Sequence, residues 1–314
     1  MIDLSNDCRY DAEDPLGPFS TFYETTKRNP DNAEVTLCAG PWAHGQWSGG
    51  EGLTTHGNVS FYNRTEEYYR EHIELPFLRR HLCTPSEDKP PPPPLPKAIV
   101  FEVGTNEWKR FDSWPPAEAT AKSLYFHPGG KLSFEPPAAG GKEYDEYTSD
   151  PAKPVPSNPD AMYAPGMTRS HMTDDQRFAS SRTDVMVYET EVLTEDVTIL
   201  GPVGSSVKFS TSGTDSDVIV KLIDVYTGDF PNDPDNAAAK GIEMGGYQQL
   251  VRAEPMRGKY RNSFEHAEPF VPNEPATVAF TMPDVCHCFR KGHKIMVHVQ
   301  SSFFPIGKTT SSAT

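Results

Sequence analysis

Residues 90–94 are an unbroken run of prolines, and the hydrophobic pattern differs on its two sides. Proline has a fixed φ and no backbone N–H, so five in a row fit neither a helix interior nor a central strand. Such a run adopts polyproline II and acts as a stiff spacer; a secondary reading is a ligand for proline-binding modules. Ahead of it, Val35-Thr36-Leu37-Cys38-Ala39 is a continuous apolar stretch that suits a buried parallel strand. Residues 17–29 read as a short helix stopped at Pro30. Asn63 reads as a helix cap with Glu66 as its capping-box partner. Tyr69, Ile73, Phe77 and Leu78 then fall on one helical face. Pro76 is placed to kink that helix, which ends near Leu82.

Beyond the prolines the period becomes two. Residues 98–103, 123–126, 185–190, 197–200, 207–210, 218–226, 277–280 and 295–299 read as strands between Gly, Pro and Asp turns. With 31 prolines and 23 glycines, turns and extended connections outnumber long helices. The expected fold class is α/β plus all-β. It comprises mixed α/β material over 1–83, a proline-rich linker over 84–97 and a jelly-roll β-sandwich over 98–314. No fixed-period repeat is present.

Charge and composition exclude several classes. The net charge is −15, with 44 acidic residues against 29 Lys and Arg. Nucleic acid rewards clustered cations and is not an expected partner. The acidic balance suits a cationic or amine-bearing substrate. Five cysteines scattered through a long chain are not a disulfide framework. No apolar run reaches the roughly 20 residues that span a bilayer, so no membrane partner is expected. Residues 1–10 lack the apolar core of a signal peptide. The compartment stays open, being periplasmic or secreted if a leader preceded this sequence and cytoplasmic otherwise. Homo-oligomer formation is open too.

The chemistry concentrates near the start. His44 stands in Gly40-Pro41-Trp42-Ala43-His44-Gly45, directly after the apolar stretch, and Asp11 precedes that stretch in Tyr10-Asp11-Ala12-Glu13-Asp14. An acid, a strand, then a histidine on the following loop is how an α/β-hydrolase delivers two members of its triad. The acid fixes the imidazole tautomer and stabilises the imidazolium formed in the transition state. Glu13 and Asp14 add carboxylates able to hold a substrate ammonium group; a solvated acidic turn is the plainer reading of both. The fold's chain order is Ser, Asp, His, so the nucleophile is expected upstream of Asp11. Ten residues are there, and none forms a G-x-S-x-G elbow. Neither Gly204-Ser205-Ser206 nor Trp47-Ser48-Gly49 fits that pattern.

Other constellations carry less. Cys286-His287-Cys288 lacks the spacing of a zinc clip, and no metal is expected there. Asp229, Asp233 and Asp235 lack the Gly and Glu of a calcium loop. Trp108, Phe111 and Trp114 read as packing aromatics rather than a sugar platform. No phosphate loop or dinucleotide fingerprint occurs, so no cofactor is expected.

Several of these segments together resemble a known family. The two site strings, residues 77–82, 104–108, 112–115, 147–151, 174–179, 188–190, 245–250 and 301–305 are similar to the cocaine esterase and X-Pro dipeptidyl-peptidase type of serine hydrolase. Within it they are most like α-amino-acid ester hydrolases and glutaryl-cephalosporin acylases. The resemblance implies the C-terminal part of an α/β-hydrolase domain followed by a jelly roll. It implies an acyl-enzyme mechanism with Asp11 and His44 as acid and base, on esters or amides such as α-amino-acid esters or β-lactam acyl side chains. It implies that Glu13 and Asp14 belong to a carboxylate cluster that binds the substrate's α-amino group. The family's serine elbow and oxyanion-hole tyrosine lie upstream of these segments, so this chain alone is expected to be inactive. The alternative is a stand-alone β-sandwich serving binding or assembly.

Overall fold

The structure is a computed structural model that describes residues 2–8, 10, 15–29, 34–49, 54–86, 89–138, 140, 144–159 and 170–306. The chain is mostly sheet with few helices and divides into two compact units. The first comprises Met1–Ala119 with Thr198–Gly201 and Pro283–Cys288, and the second takes the rest. The division falls at Ala119 rather than at the proline run.

The first unit is α/β. Its strands are β1 (Ile2–Cys8), β2 (Glu34–Gly40), the short pair β3 (Thr55–His56) and β4 (Val59–Ser60), β5 (Ala98–Glu102) and β6 (Glu107–Phe111). The main sheet runs β1-β2-β5-β6, with β1, β2 and β5 parallel and β6 antiparallel. Helix α1 (Leu16–Arg28) joins β1 to β2 in a βαβ unit. It spaces Phe19 and Phe22 by three residues, so both meet the sheet. Lys27 and Arg28 occupy its last turn, where cations complement the helix dipole.

Alternation along β2 explains why it is buried on both faces. Val35, Leu37 and Ala39 pack with Phe19, Phe22, Ala98, Val100, Trp114 and Cys286. Cys38 points the other way, into a cluster with Trp42, Tyr69, Ile73 and Ile99. The sheet therefore lies between α1 and the helical segment that supplies Tyr69 and Ile73, a layered α/β arrangement.

Three expectations need correction in this unit. The strand at 98–103 was assigned to the sandwich, yet Ala98–Glu102 pairs in parallel with β2. All five of its residues are buried, the pattern of a strand covered on both faces rather than one. Asn63 is not the helix cap. Arg64 holds that position without a side-chain cap bond, and the Asn63 amide donates to the Asn106 carbonyl at 2.5 Å. The second helical segment is also not one helix with a proline kink. α2 (Thr65–Tyr69) passes through a π turn at Arg70–Glu74 into α3 (Leu75–Leu82). The widened turn directly precedes Pro76, which has no N–H to continue a regular ladder.

Pro283–Cys288 brings a buried carboxylate to the first unit. Asp284 accepts the Tyr23 hydroxyl at 2.5 Å and the Trp114 indole N–H at 2.7 Å. Burial, with the neighbouring carboxylate, raises the Tyr23 hydroxyl far above its ordinary range and keeps it a donor.

The second unit is a β structure. Its strands are β7 (Tyr125–His127), β8 (Lys131–Ser133), β9 (Met186–Glu189), β10 (Val197–Phe209), β11 (Asp217–Val225), β12 (Gln248–Arg257), β13 (Ala276–Phe289) and β14 (Lys294–Gln300), with β10 and β13 continuing into the first unit. A six-stranded sheet runs β12-β11-β14-β9-β8-β7, and β10 pairs with β13. The two runs expected at 197–200 and 207–210 are one long strand. The helical turn α4 (Arg177–Ser180) buries Ala179 in a small cluster with Val155 and Val185.

Replacing Asp284 by Ala is expected to destabilise the chain by about 1–3 kcal/mol, because two donors lose their shared acceptor. Denaturant unfolding of Asp284→Ala against the parent measures it. A loss below about 0.5 kcal/mol would show that the carboxylate is not needed.

Candidate active site

β1 and β2 lie in parallel register from Ile2↔Glu34 to Cys8↔Gly40, so both strands end at the same level of the sheet. The loops that follow them therefore leave from adjacent strand ends, the position where α/β sheets build their sites. The Tyr10 N–H donates to the Trp42 carbonyl at 3.0 Å, which ties the start of the first loop to the second. In the sequence Asp11 follows Tyr10 directly, and His44 comes two residues after Trp42. His44 is exposed. Asp11, Glu13 and Asp14 lie outside the described residues.

Each residue around His44 has a physical reason to be there. Trp42 is 1% exposed and its indole N–H donates to Thr65 Oγ1 at 2.9 Å. Its ring lies against Gly40, where a Cβ would collide with it. Gly45 has φ of 73°, a left-handed conformation that costs an L-residue roughly 1–2 kcal/mol. The Ala43 N–H donates to Gln46 Oε1 at 2.6 Å, and Ser48 Oγ donates to the Gly45 carbonyl at 2.9 Å. The histidine thus sits on a loop anchored at both sides.

Residues that the sequence reading missed complete this region. The β3–β4 hairpin turns at Gly57, whose φ is 56°. It presents His56, which stacks on the Tyr10 ring at 4.9 Å between centroids. Phe61 lies parallel to Tyr10 on the same cluster at 6.3 Å and meets Phe101 edge-on. Tyr10 is consequently buried, and the loop it begins has a fixed root. The Gly-Asn pair at 57–58 was the available signal, since Gly at the first central position marks a two-residue hairpin turn. Tyr62 follows in a left-handed conformation with φ of 59° and is 68% exposed, a strained placement for an aromatic residue.

The aromatic constellation is packing. Trp108 stacks on Tyr68 at 5.0 Å and 11°, and Trp114 is the buried donor to Asp284. Cys286 and Cys288 are buried on β13. Among the described residues no group of three or more His, Cys, Asp or Glu side chains is placed to hold a metal ion. Asp233 Oδ1 accepts the Asp235 N–H within its own turn. No helix of the described residues is long and apolar enough to cross a membrane.

Comparison with known proteins bears on this geometry. Residues 94–314 match the family described as the X-Pro dipeptidyl-peptidase C-terminal non-catalytic domain. Cocaine esterase from Rhodococcus sp. (strain MB1 Bresler) is 31% identical over 288 residues, covering 88% of this chain and 45% of that protein. An aminopeptidase from a marine sediment Thaumarchaeota archaeon superposes with a TM-score of 0.86 at 37% identity, over 99% of this chain and 48% of the other. An α-amino acid ester hydrolase gives a TM-score of 0.83 at 36% identity, over 96% and 49%. A CocE/NonD family hydrolase from Staphylococcus aureus shares the fold, with a TM-score of 0.57 at 13% identity. The chain spans about half the length of these relatives.

Trp42→Ala is expected to cost about 3–5 kcal/mol through lost packing, and Gly45→Ala about 1 kcal/mol through its left-handed φ. Chemical unfolding of the two variants checks the order. A Gly45→Ala loss as large as that of Trp42→Ala would contradict the anchoring role given to the indole.

Proposed function

Because this chain belongs to the CocE/NonD family of hydrolases, which includes cocaine esterase and α-amino acid ester hydrolases, we propose that it carries the acid and base of a serine hydrolase. His44 is the general base and Asp11 the residue that orients it. The serine comes from a segment outside these residues. His44 takes the hydroxyl proton as serine oxygen attacks the substrate carbonyl, then returns that proton to the leaving group as the acyl-enzyme forms. Water then attacks the acyl carbon with His44 again as base, the ester bond to serine breaks, and the imidazolium returns the proton to the serine oxygen. Asp11 holds the imidazole in the required tautomer and stays ionised throughout.

The observation that carries this reading is the Tyr10 N–H to Trp42 carbonyl bond across two parallel strand ends in register. It roots the acid-bearing and histidine-bearing loops beside each other. The substrate class is an ester or amide, and Glu13 and Asp14 bind a positively charged amino group on it through charge-assisted hydrogen bonds. α-Amino-acid esters carry such a group, and so do those β-lactam acyl side chains that are themselves α-amino acyl groups. The first unit is then the C-terminal part of an α/β-hydrolase domain, and the second a jelly-roll sandwich. The match of residues 94–314 to a domain described as non-catalytic favours a supporting or binding role for that part of the chain.

The test is p-nitrophenyl ester hydrolysis by this chain with and without a co-expressed upstream segment bearing a G-x-S-x-G elbow. Activity is expected only with the segment, and His44→Ala is expected to lower it about 10⁶-fold. Equal activity in parent and His44→Ala would remove the histidine from the mechanism. With Glu13→Gln and Asp14→Asn, KM should rise for amino-acid esters and stay level for esters lacking an amino group. A uniform rise would contradict the ammonium-binding role.

A further inference from the structure

Away from the hydrolase site, the second unit encloses a group of basic side chains with too few partners. Lys221 on β11 is 0% exposed, and so is His298 on β14. The two are directly opposite in the antiparallel register, so their side chains share one face of the sheet. His171, on the 3₁₀ turn His171–Thr173, is 2% exposed. Its ring packs on Phe303 at 5.7 Å, and the same Phe303 ring lies 4.9 Å from the Lys221 ammonium.

The hydrogen-bond inventory of this group is incomplete. Lys221 Nζ has three donors to place and gives one to Gln176 Oε1 at 2.9 Å. The Phe178 ring stands 5.6 Å from the ammonium. Both ring nitrogens of His298 and Nδ1 of His171 are buried without a hydrogen-bond partner among the described residues. Native interiors rarely leave buried polar groups in this state without an ion or water to complete them.

Among the described residues no carboxylate lies in the ammonium's row of the sheet. Across the sheet the neighbours in its row are Ala253 on β12 and, beside His298, Val187 on β9. Arg252, Glu254 and Asp224 alternate to the opposite face. No salt bridge joins Lys221 to a carboxylate among the described residues. Further along the same face Asp217 pairs with Arg257 and Glu189 with Lys294, so among the described residues the titratable groups next to the ammonium are His298 and His171.

We propose that Lys221, His298 and His171 enclose a binding site for one small monovalent anion of halide size inside the sheet of the second unit. The anion accepts N–H bonds from the ammonium and from the two imidazoles, and it balances the buried charge. A water in the same place would satisfy hydrogen bonds but leave the charge uncompensated. Without the anion, burial pushes the Lys221 ammonium down to about 7, and burial plus that charge holds His171 near 4 and His298 near 3. Anion binding favours the protonated lysine, so its effect grows at lower pH and fades as the amine deprotonates.

The experiment is thermal melting of the chain in sodium bromide against sodium gluconate, whose anion is too large for such a site, with crystals grown in bromide. At about pH 6 and about 0.1 M salt, bromide is expected to raise the melting temperature by about 3 °C over gluconate. At about pH 10 the difference should vanish. An anomalous peak within hydrogen-bonding distance of Lys221 Nζ and His298 is expected in the crystal. Lys221→Met should abolish the bromide response; if that variant does not fold, the parent's salt comparison and crystal decide alone. Equal melting in both salts at both pH values, or a water in place of the anomalous peak, overturns the proposal.

Discussion

The buried indole of Trp42 is the contact on which the geometry of the first unit depends. Its N–H holds Thr65 at the start of α2. Its ring fills the space over Gly40 and packs against Tyr69 and Trp108. Its carbonyl takes the Tyr10 N–H from the end of β1. One side chain and its own backbone thus connect two strands, a helix and two loops. A Trp is suited to this, because it brings a large apolar surface and a single donor that must find a partner when buried.

That contact explains which parts of the site could be read from the sequence. Gly40-Pro41-Trp42-Ala43-His44-Gly45 is a local string, and each member is required by its neighbours within a few residues. Tyr10, His56 and Phe61 were not legible, because their stacking joins residues more than forty positions apart. The β3–β4 hairpin is two residues per strand, too short for a period-two signal.

The fold shows the same division. β2 is a continuous apolar run and β11 a long, largely apolar one, and both were recognisable as strands. β12 was not, since Gln249 and Arg252 are buried within it and Pro255 breaks the sequence pattern although the strand runs through it. Residues 98–102 were legible as a strand but not as a member of the first sheet. Sheet membership is decided by what covers each face, and a proline spacer does not carry that information. Buried Lys221 runs against composition in the same way. Its four methylenes suit an apolar strand, while its ammonium needs a partner that no strand neighbour provides.

The central claim is that a carboxylate rooted at Tyr10 and the His44 imidazole work as a pair. A crystal structure of this chain together with an upstream elbow-bearing segment measures it directly. The account predicts an Asp11 carboxylate oxygen at about 2.6–3.2 Å from a His44 ring nitrogen, with the other nitrogen facing the serine. Electron density that sends the two side chains to separate surfaces would contradict it, whatever the second unit resembles.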